Sequence, residues 1–159
     1  MTQTGPITRT NLVLAASLGS AALLAGAWIF QYFGFEPCRM CVWQRWPHGA
    51  AVAVGVLALL RPGVPLIPLG AVAAATSGAV GVYHSGVERG IWEGPATCGG
   101  NETAGLSPEQ LLERIMDAPL VRCDEIAWQM LGITIPNINA AFSFALVTVW
   151  LAAAWAGRK

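Results

Sequence analysis

LVLAASLGSAALLAGAWIFQYF, residues Leu12 to Phe33, runs without a charged side chain. A helix crosses a bilayer core with about 20 predominantly apolar residues, so this stretch reads as a transmembrane helix. Three further runs have the same character, at about 42–60, 64–83 and 138–156. The second contains only Arg45 and His48 as interruptions, both near its beginning. Arg61-Pro62-Gly63 separates it from the third, a breaker cluster suited to a tight hairpin. The whole chain is 55% hydrophobic and 11% charged, with a mean hydropathy of +0.54. A soluble domain carries about 25% charged residues, so this chain lacks the polar surface to cover a globule. Its 159 residues allow one domain. Residues 1–159 are therefore expected to form a single all-α membrane domain: a four-transmembrane-helix bundle with outer loops 34–41 and 84–137.

Nine basic and nine acidic residues balance to zero net charge, which gives no hint of nucleic acid. Their placement is more informative. With four spans, both termini and the Arg61 turn share one side, which holds Arg9, Arg61, Arg158 and Lys159 and no acid. All nine acids fall on the other side, together with five arginines. The positive-inside rule then makes both termini cytoplasmic, and all four cysteines lie on the outer, oxidising face. Arg9, the apolar run and Ala25-Gly26-Ala27 imitate a secretory signal. However, the run continues through Trp28, Ile29, Phe30 and Phe33, beyond the 7–15 residues of a signal core, so it is expected to stay as a helix.

Small residues recur within the spans. Ala74 to Gly78 and Ser77 to Gly81 are steps that permit close helix approach. In the long outer segment, Ser107-Pro108-Glu109-Gln110 reads as a helix start, with Ser107 as cap and Gln110 completing a capping box. Leu111, Leu112, Ile115 and Met116 follow as one apolar face. Such a short amphipathic helix suits the lipid interface or the top of the bundle. Pro95 and Pro119 bound it with loop, which puts Cys98 and Cys123 on flexible chain.

The chemistry concentrates at Pro37-Cys38-Arg39-Met40-Cys41-Val42-Trp43-Gln44-Arg45, at the head of the second run. Two cysteines in this spacing form a small disulfide and can have a lowered thiol pKa. Arg45 lies one helical turn past Cys41, where a cation favours a thiolate. A charge that deep in an apolar run is usually functional, and it offers donors to an anionic or carbonyl ligand. Arg39 reads as a side chain that snorkels to headgroups. His84 closes the third run on the outer face and is suited to proton transfer; His48 is assigned no role. Trp43 and Trp46 fit an aromatic belt or a planar ligand beside Cys41. No metal site is expected, because a four-cysteine zinc site needs two closely spaced pairs, and Cys98 and Cys123 are far apart. Two structural disulfides are the competing reading. Against it, the small CxxC ring removes little chain entropy, which makes it a poor staple and a good redox couple.

Taken together, Pro-Cys-x-x-Cys-x-x-x-Arg entering the second span, the paired-cysteine outer loop and four helices resemble the disulfide bond formation protein B (DsbB) family. Cys123-Asp124-Glu125 with Trp128, Gly132, Pro136 and Asn139 is similar to that family's run into its last helix. Val87-Glu88 and Trp92-Glu93-Gly94-Pro95 resemble one bacterial branch. The resemblance covers about residues 12–156. It implies a quinone-linked thiol oxidase of the bacterial inner membrane, multi-pass, with the cysteines periplasmic. The electron acceptor would be ubiquinone or menaquinone, and the partner a periplasmic DsbA-like thioredoxin-fold oxidase. By position, Cys98 would be attacked by the partner, with Cys123 as its loop mate. Cys38 would exchange with the loop pair, and Cys41 would be the thiolate that meets the quinone. Arg45 matches the family's quinone-contacting arginine, and His84 a histidine near the quinone. Arg39-Met40 between the cysteines is variable in the family and bears on the potential of the pair. A vitamin K epoxide reductase-like enzyme also joins CxxC to quinone, but its active CxxC lies late in the chain.

Overall fold

The apolar runs become long helices, and their ends fall where local chemistry stops or extends them. The structure is a computed structural model describing residues 8–62, 65–98, 107–117 and 121–156. Helix α1 spans Arg9–Tyr32, capped by Thr8, whose Oγ1 accepts the Asn11 N–H at 3.2 Å. Helix α2 spans Arg39–Leu60, three residues earlier than the apolar run. Cys38 is its N-cap, and the Cys38 sulfur accepts the Cys41 backbone N–H at 3.3 Å. Helix α3 spans Ile67–Glu88, with Pro68 in its first turn. It continues past residue 83, so His84 lies a turn inside the helix. Helix α5 spans Ile135–Ala156.

In the loop, the capping box forms: Gln110 N donates to Ser107 Oγ at 3.3 Å and Ser107 N to Gln110 Oε1 at 3.0 Å. It opens helix α4, Pro108–Asp117, on which Leu112 and Met116 are exposed. The Leu111 and Ile115 side chains, Pro119, and the basic pair Arg158 and Lys159 lie outside the described residues. A small antiparallel hairpin, β1 (Gln129–Met130) with β2 (Ile133–Thr134), departs from the all-helical expectation. Its turn residues Leu131 and Gly132 both have positive φ, 51° and 79°, as a two-residue turn with the right twist requires. Gly132 marks it in the sequence, but Leu131 hides it.

The long helices close a ring in the order α1–α2–α3–α5. One end gathers Thr8, the Arg61 turn and the end of α5, and Arg9 Nη1 donates to Pro62 O at 2.8 Å. A core of Val13, Ala16, Ala58, Ile67, Ala71, Ala74, Trp150 and Ala153 fills that end. The small residues of α3 let it approach closely: a Cβ on Gly81 would stand 3.0 Å from Pro136 O, and one on Gly70 2.6 Å from the Trp150 ring. Trp150 is fully buried, so the ring has nowhere to go. Gly70→Ala is expected to destabilise the bundle by about 1–3 kcal/mol through overpacking. Gly26→Ala, with open space around it, serves as a neutral control in the thermal unfolding of detergent-solubilised protein.

The polarity runs opposite to that of a soluble bundle. Leu18, Trp28, Ile29, Leu60, Val72 and Trp155 are exposed, while Ser20, Gln44, His48, Ser77 and Ser143 are buried. Helices α1 and α5 are long and apolar enough to cross a membrane. Helices α2 and α3 match them in length, but Gln44, Arg45 and His48 in one and Thr76, Ser77 and His84 in the other dilute their hydropathy.

Candidate functional site

All four cysteines meet at the end of the bundle away from Thr8 and the end of α5. Cys38, Met40, Val87, Cys98 and Cys123 form one buried cluster, with Cys41 and Val121 packed against it. Cys98 and Cys123 are joined by a disulfide, with Cα atoms 5.1 Å apart. The sequence put them on flexible chain between prolines; the fold buries them, 2% and 0% exposed. A short 3-10 turn at Ala96–Cys98 tucks the first inward, with Cys98 N on Pro95 O at 2.8 Å, and Cys123 N then donates to Cys98 O at 3.1 Å. The path out of α3 is pinned upstream, where the Trp92 ring lies directly on Gly86. Only a residue without a side chain allows that contact.

Cys38 and Cys41 are thiols whose sulfurs stand 3.0 Å apart, close enough to share one proton. The Cys38 sulfur also meets His84 Nε2 at 3.4 Å. The tautomer follows from Gln44. Its Nε2 is a donor and faces both Met40 O at 3.2 Å and His84 Nδ1 at 3.0 Å. Nδ1 is therefore the acceptor, and Nε2 carries the proton toward Cys38. Cys38 gathers the Cys41 thiol, the His84 N–H and the Cys41 backbone N–H at a helix N-terminus. These hold its thiol at about 4, against the opposing effect of burial. Cys41 is pushed up, first by its hydrogen bond to Cys38 and then by burial. The negative charge of the reduced pair thus rests on Cys38, whereas the spacing to Arg45 had suggested Cys41. The guanidinium of Arg45 is turned to α1, with Nη1 on Gln31 Oε1 at 2.9 Å and Nη2 on Ala27 O at 3.4 Å.

This has a pH signature. The folded value lies below that of a free thiol, so the reduced state gains stability that is full above the free value and is lost as pH falls through about 4. Reduced protein is expected to keep thiolate ultraviolet absorbance down to that pH, and Gln44→Leu, which releases the His84 tautomer, should raise the midpoint.

On the other side of Cys41 a cavity of about 210 Å³ opens between α1, α2 and α5. Leu23, Ala27, Phe30, Phe35 and Ile138 are among its apolar walls, and Cys41, Gln44, Arg45 and His48 run down its α2 side. The lining therefore includes Arg45 and Cys41 but not His84, which stands with Cys38. Its rings come from Phe30 and Phe35, 5.6 Å apart, and not from Trp43 and Trp46, which do not line it. The Nε of Arg45 and the Nδ1 of His48 are buried without a partner among the described residues.

Sequence reasoning gave no role to Gln44, His48 or Glu88. His48 Nε2 lies 3.0 Å from Asn139 Oδ1, and Asn139 Nδ2 reaches Ser77 Oγ at 3.2 Å, a polar seam through α2, α3 and α5. The signal was present in the spacing, since Met40, Gln44 and His48 recur at i, i+4 and i+8 on one face. His84 and Glu88 likewise stand at i and i+4. Cys38, Cys41 and His84 also bring three ligand atoms within 4.8 Å of one another, a set that suits a thiophilic cation.

Residues 9–153 match the family described as disulfide bond formation protein DsbB. The chain is 29% identical over 142 residues to "Uncharacterized protein RP370" of Rickettsia prowazekii (strain Madrid E), covering 86% of this chain and 81% of that one. It is 26% identical over 156 residues to "Disulfide bond formation protein B" of Psychrobacter sp. (strain PRwf-1), covering 91% and 90%. No solved structure is significantly similar. With the family match running from the start of α1 into the last turns of α5, this chain belongs to the DsbB family and is a disulfide-bond-forming membrane protein.

Proposed function

We propose that the protein reoxidises a periplasmic DsbA-like thioredoxin-fold protein and passes the electrons to a membrane quinone, sustaining disulfide formation in secreted proteins. One observation carries this reading. Cys41 opens onto the cavity, while Cys38, 3.0 Å away, is packed with the Cys98–Cys123 disulfide. The CxxC pair thus touches an electron source on one side and a ligand-sized space on the other. The four long helices would all span the bacterial inner membrane, with the Arg9 and Arg61 end cytoplasmic and the cysteines periplasmic.

The cavity fits a quinone head. An apolar cavity of about 150 Å³ can take a benzene ring, and this one is larger and mostly apolar. The buried, unpartnered Nε of Arg45 wants an oxygen acceptor, which a ring carbonyl supplies. When bound, the quinone provides an acceptor for two electrons and two protons.

The protein's own residues do the rest. A partner thiolate attacks Cys98, because exchange proceeds by thiolate attack on a disulfide sulfur. Cys98 is 2% exposed, so the loop opens for this step. The partner's second thiol resolves that bond and leaves a loop dithiol; one loop thiolate then attacks the adjacent Cys38 and releases Cys41 facing the cavity, and the other closes the Cys98–Cys123 bond and frees Cys38 as thiolate. Cys38, as the resting thiolate, accepts a hydrogen bond from the Cys41 thiol across 3.0 Å and makes the Cys41 sulfur electron-rich. Arg45 holds the ring oxygen, Phe30 and Phe35 exclude water, and Cys38 closes again on Cys41.

Mixing the protein with a reduced DsbA-like partner and a quinone should bleach the quinone absorbance in proportion to partner oxidised. No change would leave only structural disulfides. Arg45→Ala removes a charge-assisted hydrogen bond worth about 1.5–3 kcal/mol, so KM for quinone should rise roughly 10- to 100-fold.

A further inference from the structure

The site contains a buried acid that the reaction above does not use. Glu88 ends α3 one turn below His84. Its side chain is 5% exposed, its Oε1 stands 4.0 Å from His84 Nε2, and its Oε2 has no partner among the described residues. A buried carboxylate with one oxygen unpartnered is costly and marks a candidate functional group. The groups that face it are His84 and Arg89 from α3, Cys38 and Cys41 from α2, and Thr134 from β2. Arg89 acts on it least of these, and its guanidinium makes its hydrogen bonds elsewhere, one terminal nitrogen being held by Gly132 O and Asn137 Oδ1, each at 2.9 Å.

Reduction changes the charge in this space. Two electrons and two protons convert the Cys38–Cys41 disulfide to a dithiol, yet the reduced pair keeps one proton on Cys41 and a negative charge on Cys38. One proton is then unaccounted for, and a thiolate and a carboxylate sharing a desolvated pocket disfavour each other's charge. We propose that Glu88 takes up this second proton when the Cys38–Cys41 pair is reduced and gives it up again when the pair is reoxidised. The balance is complete. The loop dithiol gives two electrons and two protons, and Cys38–Cys41 becomes one thiolate and one thiol. Glu88 becomes a neutral carboxylic acid, and reoxidation delivers both electrons and both protons to the quinone. Burial, which already pushes the Glu88 carboxyl up, poises it for uptake.

The proposal rests on the redox reading of the pair and is tested apart from turnover. In full-length protein carrying Cys98→Ser and Cys123→Ser, only the Cys38–Cys41 couple responds. Its midpoint potential is measured across neutral pH, with and without Glu88→Gln. Uptake of two protons per two electrons makes the equilibrium shift 100-fold per pH unit, about 59 mV, and uptake of one makes it 10-fold, about 29.6 mV. The steeper slope is expected with Glu88 and the shallower one with Glu88→Gln. A shallow slope with Glu88 present, or a steep one in both proteins, would overturn the proposal while leaving the quinone reading intact. A pair that never cycles would instead overturn the quinone reading. Redox-difference infrared spectra of the unaltered protein give a second measurement that needs no variant. A protonated-carboxyl band should appear on reduction, and its absence would count against Glu88.

Discussion

Cys41→Ser protein is expected to lose quinone reduction entirely while still trapping a DsbA-like partner as a mixed disulfide at Cys98. Of the four cysteines, Cys41 alone lines the cavity, so the substitution removes the only sulfur placed against the acceptor. Cys38 would keep its helix N-terminus and its His84 contact at 3.4 Å. Without Cys41 it has no sulfur with which to close a disulfide, so a thiolate alone cannot support turnover. The Cys98–Cys123 bond is untouched by the change. Quinone absorbance and non-reducing gels read the two halves separately, and a normal quinone rate in this variant would refute the assignment of Cys41.

The reciprocal variant, Cys98→Ser, should reduce partner oxidation to the uncatalysed background while preserving quinone reduction by a small dithiol. Cys98 is the sulfur through which the partner's electrons enter the proposed path, and Cys123 cannot form a disulfide without it. A small reductant has another route. Cys41 is the more accessible member of the inner pair, and Cys38, held as thiolate, is the better leaving group. Dithiol-driven quinone reduction should therefore survive. If both activities disappeared, the two pairs would not be separable relays, and the buried cluster of Cys38, Cys98 and Cys123 would be a single structural unit. Together the two variants divide the path at the contact between the loop disulfide and α2.

Much of this molecule is legible from residue order, because apolar length and small-residue spacing are local properties. The four long helices follow from apolar runs, and a close helix approach by α3 from Ala74, Ser77, Gly78 and Gly81. The start of α4 follows from Ser107 and Gln110, and the reactive pair from Cys38 and Cys41. Helix ends are less visible. That α3 reaches Glu88 depends on Gly86 receiving the Trp92 ring, and that α2 begins at Arg39 depends on a cysteine acting as a cap.

Which sulfur carries the charge was decided only by the tertiary structure. Sequence spacing puts Arg45 one turn from Cys41, but the guanidinium bonds across to Gln31 on α1, while His84, 46 residues away in sequence from Cys38, meets that sulfur instead. Hydrogen bonds between helices are set by how the helices rotate against each other, which no spacing within one helix contains. The same holds for the buried loop disulfide, for Phe30 and Phe35 as the cavity's rings, and for Glu88 beneath His84. The amino-acid sequence by itself determined a membrane bundle with a redox pair at the head of its second long helix. The packing of four helices and one loop decided which side of that pair faces a cavity and which faces a second disulfide.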